Sequence, residues 1–195
     1  TERKIHDLCQ GVAGKVTMGA GTIPGEYMLP PLLAQFLCDH PGVSVKLISG
    51  DSRSIYNMWQ QGKVPLCVLG FLPPDTGEAR RVWADELVPV ASCQMLSELP
   101  ELFSPADLGR YPLVLRHESS SSRSSVEQAL RTYGIEPADC NIVLEVSGNE
   151  ALKRAVAAGA GIGFISRRAI ENEIASGALV VVKSKGLSIT RHFYA

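Results

Sequence analysis

The sequence predicts an α/β fold of two Rossmann-like lobes with a central cleft. Over roughly the first seventy residues, short apolar stretches of strand type alternate with stretches of helical periodicity, a pattern typical of a parallel sheet covered by helices. The same alternation begins again after Pro112, and extended segments join the two parts. Each part is therefore assigned to one α/β lobe, although no repeat is visible residue by residue.

The first lobe opens on a strand, a turn and a helix. Apolar residues alternate with small or polar ones over residues 14–20, as in a short strand, and apolar residues then recur at helical spacing as far as Phe36. Because Pro30 and Pro31 interrupt this spacing, we expect the helix to begin near Pro31, where a proline is tolerated in the first turn.

A second strand and helix follow the stop signal His40-Pro41-Gly42. Alternation predicts the strand over residues 43–49, the hydroxyl-rich turn 49–52 caps a helix predicted over residues 53–61, and Gly62 ends that helix. The continuous apolar run 66–71 predicts a strand buried on both faces, and residues 72–78 form a turn.

The second lobe repeats the pattern. Residues 81–91 predict two strand-like pieces and residues 104–108 a single helical turn. Gly134 and Gly177 each end a helix. Strands are predicted over residues 112–115, 141–146, 162–165, 179–182 and 189–194, and helices over 123–133, 151–158 and 167–175. Residues 1–11 carry the periodicity of the end of a helix.

Composition excludes several classes of protein. Of 195 residues, 45% are apolar and 20% charged, an ordinary profile for a globular protein, and the net charge of −1 gives no electrostatic footprint for nucleic acid. No apolar run reaches the ~18 residues of a membrane helix. The charged N-terminal stretch is unlike a secretory signal. The odd, scattered set of five cysteines predicts free thiols in a reducing cytoplasm and no metal site.

Four hydroxyl-rich turns meet predicted helix N-termini, where unpaired N–H groups and the helix dipole favour an anion. Each turn alone is better explained as a helix cap than as a ligand site, and a solvated loop is an alternative explanation of the serine run. Together with an arginine, the four turns favour a site for a small anion or carboxylate. The candidate residues are Thr22, Ile23 and Pro24; Ser49, Gly50 and Ser52; Ser119, Ser120, Ser121, Ser122 and Arg123; and Ser147, Gly148 and Asn149.

Other motifs predict no chemistry. The glycine string at residues 159–163 follows a helix and precedes a strand, whereas a dinucleotide fingerprint follows a strand and opens a helix, so a helix end and tight turn are favoured. Asp85 and Glu86 are adjacent on a strand and therefore point to opposite faces. His117 borders the serine run and is a further candidate contact. No nucleophile–base–orienter set is visible, so neither an enzyme nor a cofactor is predicted.

Several short motifs follow one another in a characteristic order and spacing. They are G-x-V-x-x-G at 14–19, Y-M-L-P at 27–30 with Leu33 and Phe36, H-P-G-V at 40–43, D-E-L-V-P-V at 85–90, E-S-S-S-S-R at 118–123, S-G-N-E-A-L-K at 147–153 with Val156, and G-A-G-I-G at 159–163 with Ser166. Together they resemble the C-terminal effector-binding domain of LysR-type transcriptional regulators over nearly all of residues 12–194. The serine run and residues 151–153 are most similar to the branch of that family that governs sulfur assimilation or carbon fixation genes.

The resemblance implies a fold like the type 2 periplasmic binding proteins, with an inducer between the lobes. It implies residues 1–11 as the end of a linker helix, residues 12–86 plus 187–195 as lobe I, and residues 87–186 as lobe II. It places effector contacts at the same four turns. It also implies a homodimer or higher oligomer in the cytoplasm, with the helices after Pro30 and from Arg123 as interface candidates, and contact with DNA only through an upstream winged helix-turn-helix.

Two alternatives stay open from the residues. A solute-binding protein serving a transporter has the same fold, and a signal peptide upstream of Thr1 would favour it. An enzyme on this scaffold is disfavoured because no catalytic set appears, and turnover of a ligand would favour it.

Overall fold

The structure is a computed structural model that describes residues 13–74, 79–185 and 187–195. The predicted linker helix at residues 1–11 and part of the predicted turn 72–78 lie outside the described residues. Two compact units divide the chain: unit 1 extends to Arg81 and takes in Tyr194 and Ala195, and unit 2 comprises Val82–Phe193. The lobe boundaries predicted from the sequence stay a prediction.

Unit 1 is built on a parallel sheet with strand order β2-β1-β3 among its described residues. Gly21 pairs with Gly50, so the carboxyl ends of β1 and β2 lie level with each other. Gly62, at a φ of 69°, follows the second helix as predicted. The elements are β1 (Gly14–Gly21), α1 (Leu29–Asp39), β2 (Val43–Gly50), α2 (Ser52–Gln60) and β3 (Leu66–Val68).

The prediction that the first helix starts near Pro31 is wrong. A π-helical turn, Pro24–Met28, leads directly into α1, and the Leu29 amide donates to the carbonyl of Pro24. Pro30 and Pro31 therefore lie in the first turn of α1, where an amide has no partner within the α-helix and its loss costs little. The wider turn lets the helical chain pass through both prolines.

The strand predicted over residues 66–71 is shorter and less buried than expected. β3 ends at Val68, and Leu66 is 46% exposed. Directly after β3, Leu69 pairs with Tyr194 in an isolated antiparallel bridge. Leu69 is fully buried and packs with Ile55 and Cys67 in the core of unit 1, so the run enters the core after its first residue.

Unit 2 is built on a mixed sheet with the order β6-β5-β7-β4-β8, in which β9 also pairs with β4. β5 is parallel to both β6 and β7, whereas β4 is antiparallel to β7. The carboxyl ends of β5, β6 and β7 therefore lie at one edge of the sheet. The strands are β4 (Arg81–Ala91), β5 (Leu113–Arg116), β6 (Ile142–Val146), β7 (Ile162–Ser166), β8 (Val180–Val181) and β9 (Ile189–Tyr194).

The helices of unit 2 pack on a core that includes Leu113, Val126 and Leu130. Two sequence predictions need correction here. β4 is one strand rather than two pieces, because Pro89 accepts a hydrogen bond from Val182 through its carbonyl and needs no amide. The helix predicted over residues 167–175 is split into a 3₁₀ turn, Arg167–Ala169, and a short helix. The α-helices are α3 (Cys93–Leu96), α4 (Ser121–Thr132), α5 (Asn149–Ala157) and α6 (Glu171–Ala175).

Candidate functional site

In unit 1, the predicted contact residues gather at the carboxyl ends of β1 and β2. Thr22, Ile23 and Pro24 directly follow β1, and the turn at residues 49–52 ends β2 and opens α2. A Cβ added to Gly21 would lie 2.6 Å from Ser52 Oγ, and one added to Gly25 would lie 2.7 Å from Ser49 Oγ. Residues 22–24 are helical in the structure rather than the predicted turn, and they lie in direct contact with the turn at residues 49–52, with glycine required where the two segments meet.

Ser52 has a structural hydrogen bond within this group. Its hydroxyl oxygen is buried and accepts from the Gly70 amide at 3.0 Å, which ties the start of α2 to the chain after β3. The cap of α2 is Asp51, whose carboxylate accepts from the Ser54 amide at 2.9 Å. Ile23 is 2% exposed and belongs to the core, whereas Thr22 is half-buried and Ser49 is exposed.

In unit 2, the other two predicted turns lie where parallel strands end and helices begin. The serine run joins β5 to α4, and Ser147 and Gly148 join β6 to α5. The first amides of a helix have no acceptor inside the helix. Among the described residues, no side chain caps α4 at Ser120 or α5 at Gly148. The two helix N-termini therefore present donors at the carboxyl edge of neighbouring strands, where ligands collect in α/β sheets.

Arg116, the last residue of β5, joins these two turns. Its side chain is buried, and its guanidinium donates to the Ser147 carbonyl at 2.8 Å and to the Asn149 side-chain oxygen. An arginine has no acceptor, so the contact fixes which end of the Asn149 amide faces it. The Asn149 Nδ2 group is consequently turned away from the arginine. Asn149 is 5% exposed, and within the described part of the chain its Nδ2 has no hydrogen-bond partner.

An unpartnered buried donor is costly, on the order of 1–3 kcal/mol, and such groups are rare in native proteins. At a helix N-terminus an additional donor complements the amides of the first turn. Asn149 thus belongs to a donor set that suits an acceptor ligand.

The serine run contains groups of different kinds. Ser119 Oγ lies 2.8 Å from His117 Nδ1, so these two side chains contact each other in the loop between β5 and α4. Ser120 and Ser122 are buried, and Ser121 is half-buried. Among the candidates, Arg123 is directed into unit 2: its guanidinium donates to the Arg116 carbonyl at 2.9 Å and contacts Glu127 and Glu145.

Another buried arginine, Arg191, reaches the first turn of α4. Arg191 on β9 donates through Nη1 to Ser122 Oγ at 2.9 Å and through Nε to Asp85 Oδ2 at 2.8 Å. Its Nη2 lies 2.8 Å from the same carboxylate oxygen, and Ser166 donates to the other oxygen at 2.6 Å. Burial lowers the pKa of Arg191, and the facing Asp85 carboxylate opposes that shift. The four side chains form one buried polar cluster.

A surface hollow of about 430 Å³ lies beside this cluster, between Glu86, Arg167, Arg168 and Thr190. Glu86 accepts from Ser188 at 2.6 Å and from Arg167 at 2.7 Å. These two hydrogen bonds hold the pKa of Glu86 below its usual value of 4.5. The acidic group at the rim is thus already occupied by protein donors.

Arg116, Asp85 and Arg191 are not among the site residues predicted from the sequence. Arg116 gave a weak signal, since it is a charged residue directly after an apolar strand. Asp85 and Arg191 are 106 residues apart and meet only because β9 pairs with β4, so spacing alone could not connect them.

Two further observations concern only the described residues. In that part of the chain, no three histidine, cysteine or acidic residues come together in a way that could hold a metal ion. No helix there is long and apolar enough to cross a membrane.

Each unit gathers polar side chains at the carboxyl ends of parallel strands, and the fold as a whole is that of the type 2 periplasmic-binding-protein class. Within that class the assignment is specific. The chain belongs to the LysR substrate-binding domain family, whose family model matches residues 10–195.

Curated relatives include transcriptional regulators. CbbR of Rhodospirillum rubrum is 29% identical over 98% of this chain and 62% of its own length, and the activator CmpR of Synechocystis is 30% identical over 87% of this chain and 55% of its own. A protein of Anaeromyxobacter dehalogenans named phosphonates import ATP-binding protein PhnC is 36% identical over 99% of this chain, which is 39% of that protein. The chain thus spans less than two thirds of these relatives.

Solved structures share the fold at lower identity. The regulatory domain of Synechocystis CcmR, in complex with 2-PG, superposes with a TM-score of 0.82 at 22% identity, over 93% of this chain and 86% of that one. The effector-binding domain of QuiR, in complex with shikimate, gives 0.79 at 18% identity, over 94% and 86%.

Proposed function

We propose that this chain is the effector-binding domain of a LysR-type transcriptional regulator and that its effector is a small organic anion. The observation that carries the proposal is the pair Arg116–Asn149, which leaves a buried amide donor at the N-terminus of α5. Binding would change the protein by stabilising one arrangement of the chain over another, as linkage requires. DNA would be contacted by a region outside this chain, in the cytoplasm.

The donor chemistry supports an anion. The first-turn amides of α4 and α5, the Asn149 Nδ2 group and the serine hydroxyls can all donate, and both helix dipoles favour negative charge there. We further propose that the turns of unit 1 at Thr22–Pro24 and residues 49–52 contribute contacts to the effector.

The effector class we favour is a phosphate- or phosphonate-bearing acid. CcmR is solved with 2-PG, and a relative carries phosphonates in its name, so two similar proteins are connected with such compounds. A tetrahedral anion has several acceptor oxygens and can use donors from two helix N-termini at once. Shikimate, bound by QuiR, represents the carboxylate alternative.

A calorimetric titration of the purified chain tests this proposal, with 2-PG, inorganic phosphate and shikimate as probes. At a probe concentration of 100 times Kd, binding to the folded state adds about 2.7 kcal/mol of stability. For a chain of this length that raises Tm by roughly 5–11 °C. The probe is recovered unchanged after incubation, because the proposal is binding without catalysis.

Asn149→Asp is the decisive variant, since it replaces the donor by a negative charge of nearly the same size. We expect no detectable binding of the anion. Asn172→Asp is the matched control on the exposed surface of α6, and it leaves Kd within about twofold, because a distant surface charge is screened by solvent. Equal affinity of wild type and Asn149→Asp contradicts the proposed site, and conversion of the probe contradicts the assignment as a binding domain.

We also propose that the chain forms a homodimer or higher oligomer through α1. Of the eleven residues of α1 only Leu29 is buried, whereas Leu32 is 49% and Phe36 40% exposed. Such a contiguous apolar helix face is unusual on a monomer and typical of an interface. The Arg123 helix, α4, is the second interface candidate.

Sedimentation at micromolar concentration tests the interface. The double variant Leu32→Glu, Phe36→Glu places two charges on the face and is expected to sediment as a monomer. Leu102→Glu, at a 57% exposed leucine elsewhere, is the control and keeps the wild-type oligomeric state. A monomeric wild type, or a double variant that stays oligomeric, contradicts the assignment to α1.

A further inference from the structure

The buried cluster of Asp85, Ser122, Ser166 and Arg191 has no counterpart in the predicted site, yet it ends on a residue of the serine run. We propose that Arg191 is a positioning residue: it anchors the first turn of α4 and orients the Ser122 hydroxyl as a donor toward the effector. The second half of this inference rests on the proposed function, because it requires an effector at α4.

The direction of one hydrogen bond leads to this assignment. A guanidinium group only donates, so the 2.9 Å contact from Arg191 Nη1 uses a lone pair of Ser122 Oγ. The single hydroxyl proton of Ser122 must then point away from Arg191. Ser122 lies in the first turn of α4, whose amides also point outward as donors. The hydroxyl oxygen therefore accepts from Arg191, and its proton, which cannot be donated to Arg191, is left to join the donor set.

The arginine itself is held from several sides. Asp85 Oδ2 accepts a hydrogen bond from Arg191 Nε at 2.8 Å and lies 2.8 Å from Arg191 Nη2. The other carboxylate oxygen, Oδ1, accepts from the Ser166 hydroxyl at 2.6 Å. The guanidinium carbon lies 5.0 Å from the centre of the Phe193 ring. With so many contacts the guanidinium has one orientation, and Ser122 is held by a rigid partner.

The charge of Arg191 is matched by the Asp85 carboxylate, whose side chain is fully buried. Arg191 is therefore not the counter-ion of an anionic effector. Its effect on binding passes through Ser122, and this distinguishes a positioning residue from a direct contact. If Arg191 contacted the effector directly, its removal would lower the affinity whether or not residue 122 carries a hydroxyl group.

A double-mutant cycle tests this step. Removing Arg191 alone would leave Asp85 as a buried, unbalanced charge, so we use the neutral pair Asp85→Asn, Arg191→Met, which can keep its packing. With inorganic phosphate and 2-PG as probes, Ser122→Ala is expected to raise Kd about tenfold, as for a lost hydrogen bond to a charged group. The neutral pair is expected to raise Kd about fivefold when it is introduced into the wild type, and less than twofold when it is introduced into the Ser122→Ala variant. Arg154→Met, an exposed arginine on α5, is the matched control and leaves Kd unchanged.

Hydrogen exchange without any probe tests the anchoring step. The neutral pair is expected to speed exchange of the Ser124 amide, which donates to the Ser120 carbonyl at 3.1 Å, more than tenfold, while amides in the centre of β5 change only as global stability does. In the Arg191→Lys variant, which keeps a charged donor beside Asp85, the Ser124 amide is expected to be better protected from exchange than in the neutral pair.

The outcomes separate the two proposals. If neither probe binds the wild type, the proposed effector class fails and exchange alone decides the anchoring role of Arg191. If a probe binds and the two effects on Kd simply multiply, Arg191 does not act through Ser122. Unchanged exchange at the start of α4 overturns the inference in either case.

Discussion

The glycine string at residues 159–163 is expected to be structural, and Gly161→Ala tests this. A Cβ at Gly161 would lie 2.3 Å from the Pro112 carbonyl oxygen and 2.8 Å from the carbonyl carbon. Both atoms belong to backbone, and the same oxygen accepts from the Ile162 amide at 2.8 Å. Gly161, directly before β7, and Pro112, directly before β5, would therefore have to move apart.

The expected cost follows from these contacts. Overpacking against backbone costs up to about 3 kcal/mol, and weakening the Ile162 hydrogen bond adds about 1 kcal/mol. We expect a loss of about 3–4 kcal/mol in the free energy of unfolding, which lowers Tm by roughly 6–16 °C in a chain of this size. Gly159→Ala is the matched control. Its φ of +85° costs about 1 kcal/mol, and only Ser92 Oγ, at 3.9 Å, comes near the new methyl group.

Urea unfolding followed by circular dichroism measures both variants, and the same samples are titrated with ATP. The structural interpretation predicts the order of stability wild type, Gly159→Ala, Gly161→Ala and no effect of ATP on any of them. Equal stability of the two variants refutes the steric argument. A nucleotide that stabilises the wild type but not Gly161→Ala refutes the assignment of the string to a helix end.

Three further predictions concern stability. Asp51→Ala removes the cap of α2 and lowers the free energy of unfolding by about 1 kcal/mol in urea, and failure to do so contradicts the cap. Leu130→Ala empties part of the unit 2 core and costs about 2–5 kcal/mol, whereas Leu102→Ala, 57% exposed, stays within about 0.5 kcal/mol. Because the pKa of Glu86 is lower in the folded than in the unfolded protein, its ionised carboxylate adds stability above pH 4.5, and this stability is lost as the pH falls through the folded-state pKa. Glu86→Gln is therefore expected to flatten the acid-side slope of the free energy of unfolding against pH, measured by urea unfolding. An unchanged slope contradicts the lowered pKa.

The alternation of strands and helices could be predicted because it depends on local rules. The glycines expected to end helices, Gly62, Gly134 and Gly177, all adopt φ near +70°, where a side chain would be strained. The start of α1 was missed because a π-helical turn accommodates two prolines through an i to i−5 hydrogen bond, which apolar spacing does not reveal. Helix ends are thus encoded by single residues, whereas this start depends on backbone geometry.

The candidate site could be predicted only as far as its turns. Parallel pairing brings Thr22–Pro24 to Ser49 and brings the serine run to Ser147, since carboxyl ends of parallel strands share an edge. Whether all four turns contact one ligand stays a prediction. The roles of individual side chains could not be predicted, because they depend on contacts between residues far apart: Arg123 turns toward Glu127, whereas Arg116 lies at the start of α5.

Arg116 and Arg191, two of the buried arginines of unit 2, have the same chemical consequence. Arg116 occupies the oxygen of Asn149 and Arg191 occupies a lone pair of Ser122, so each leaves an N–H or O–H group directed away from it. Both groups lie in the first turn of a helix, where the backbone also offers only donors. On the proposed function, we expect an edge built in this way to favour acceptor-rich anions over ammonium groups. An uncharged polyol such as glycerol is therefore expected to bind at least a hundredfold more weakly than inorganic phosphate, because it lacks charge-assisted hydrogen bonds worth roughly 1.5–3 kcal/mol each. Comparable affinities for the two, measured by calorimetry, would mean that the donors are satisfied by other means.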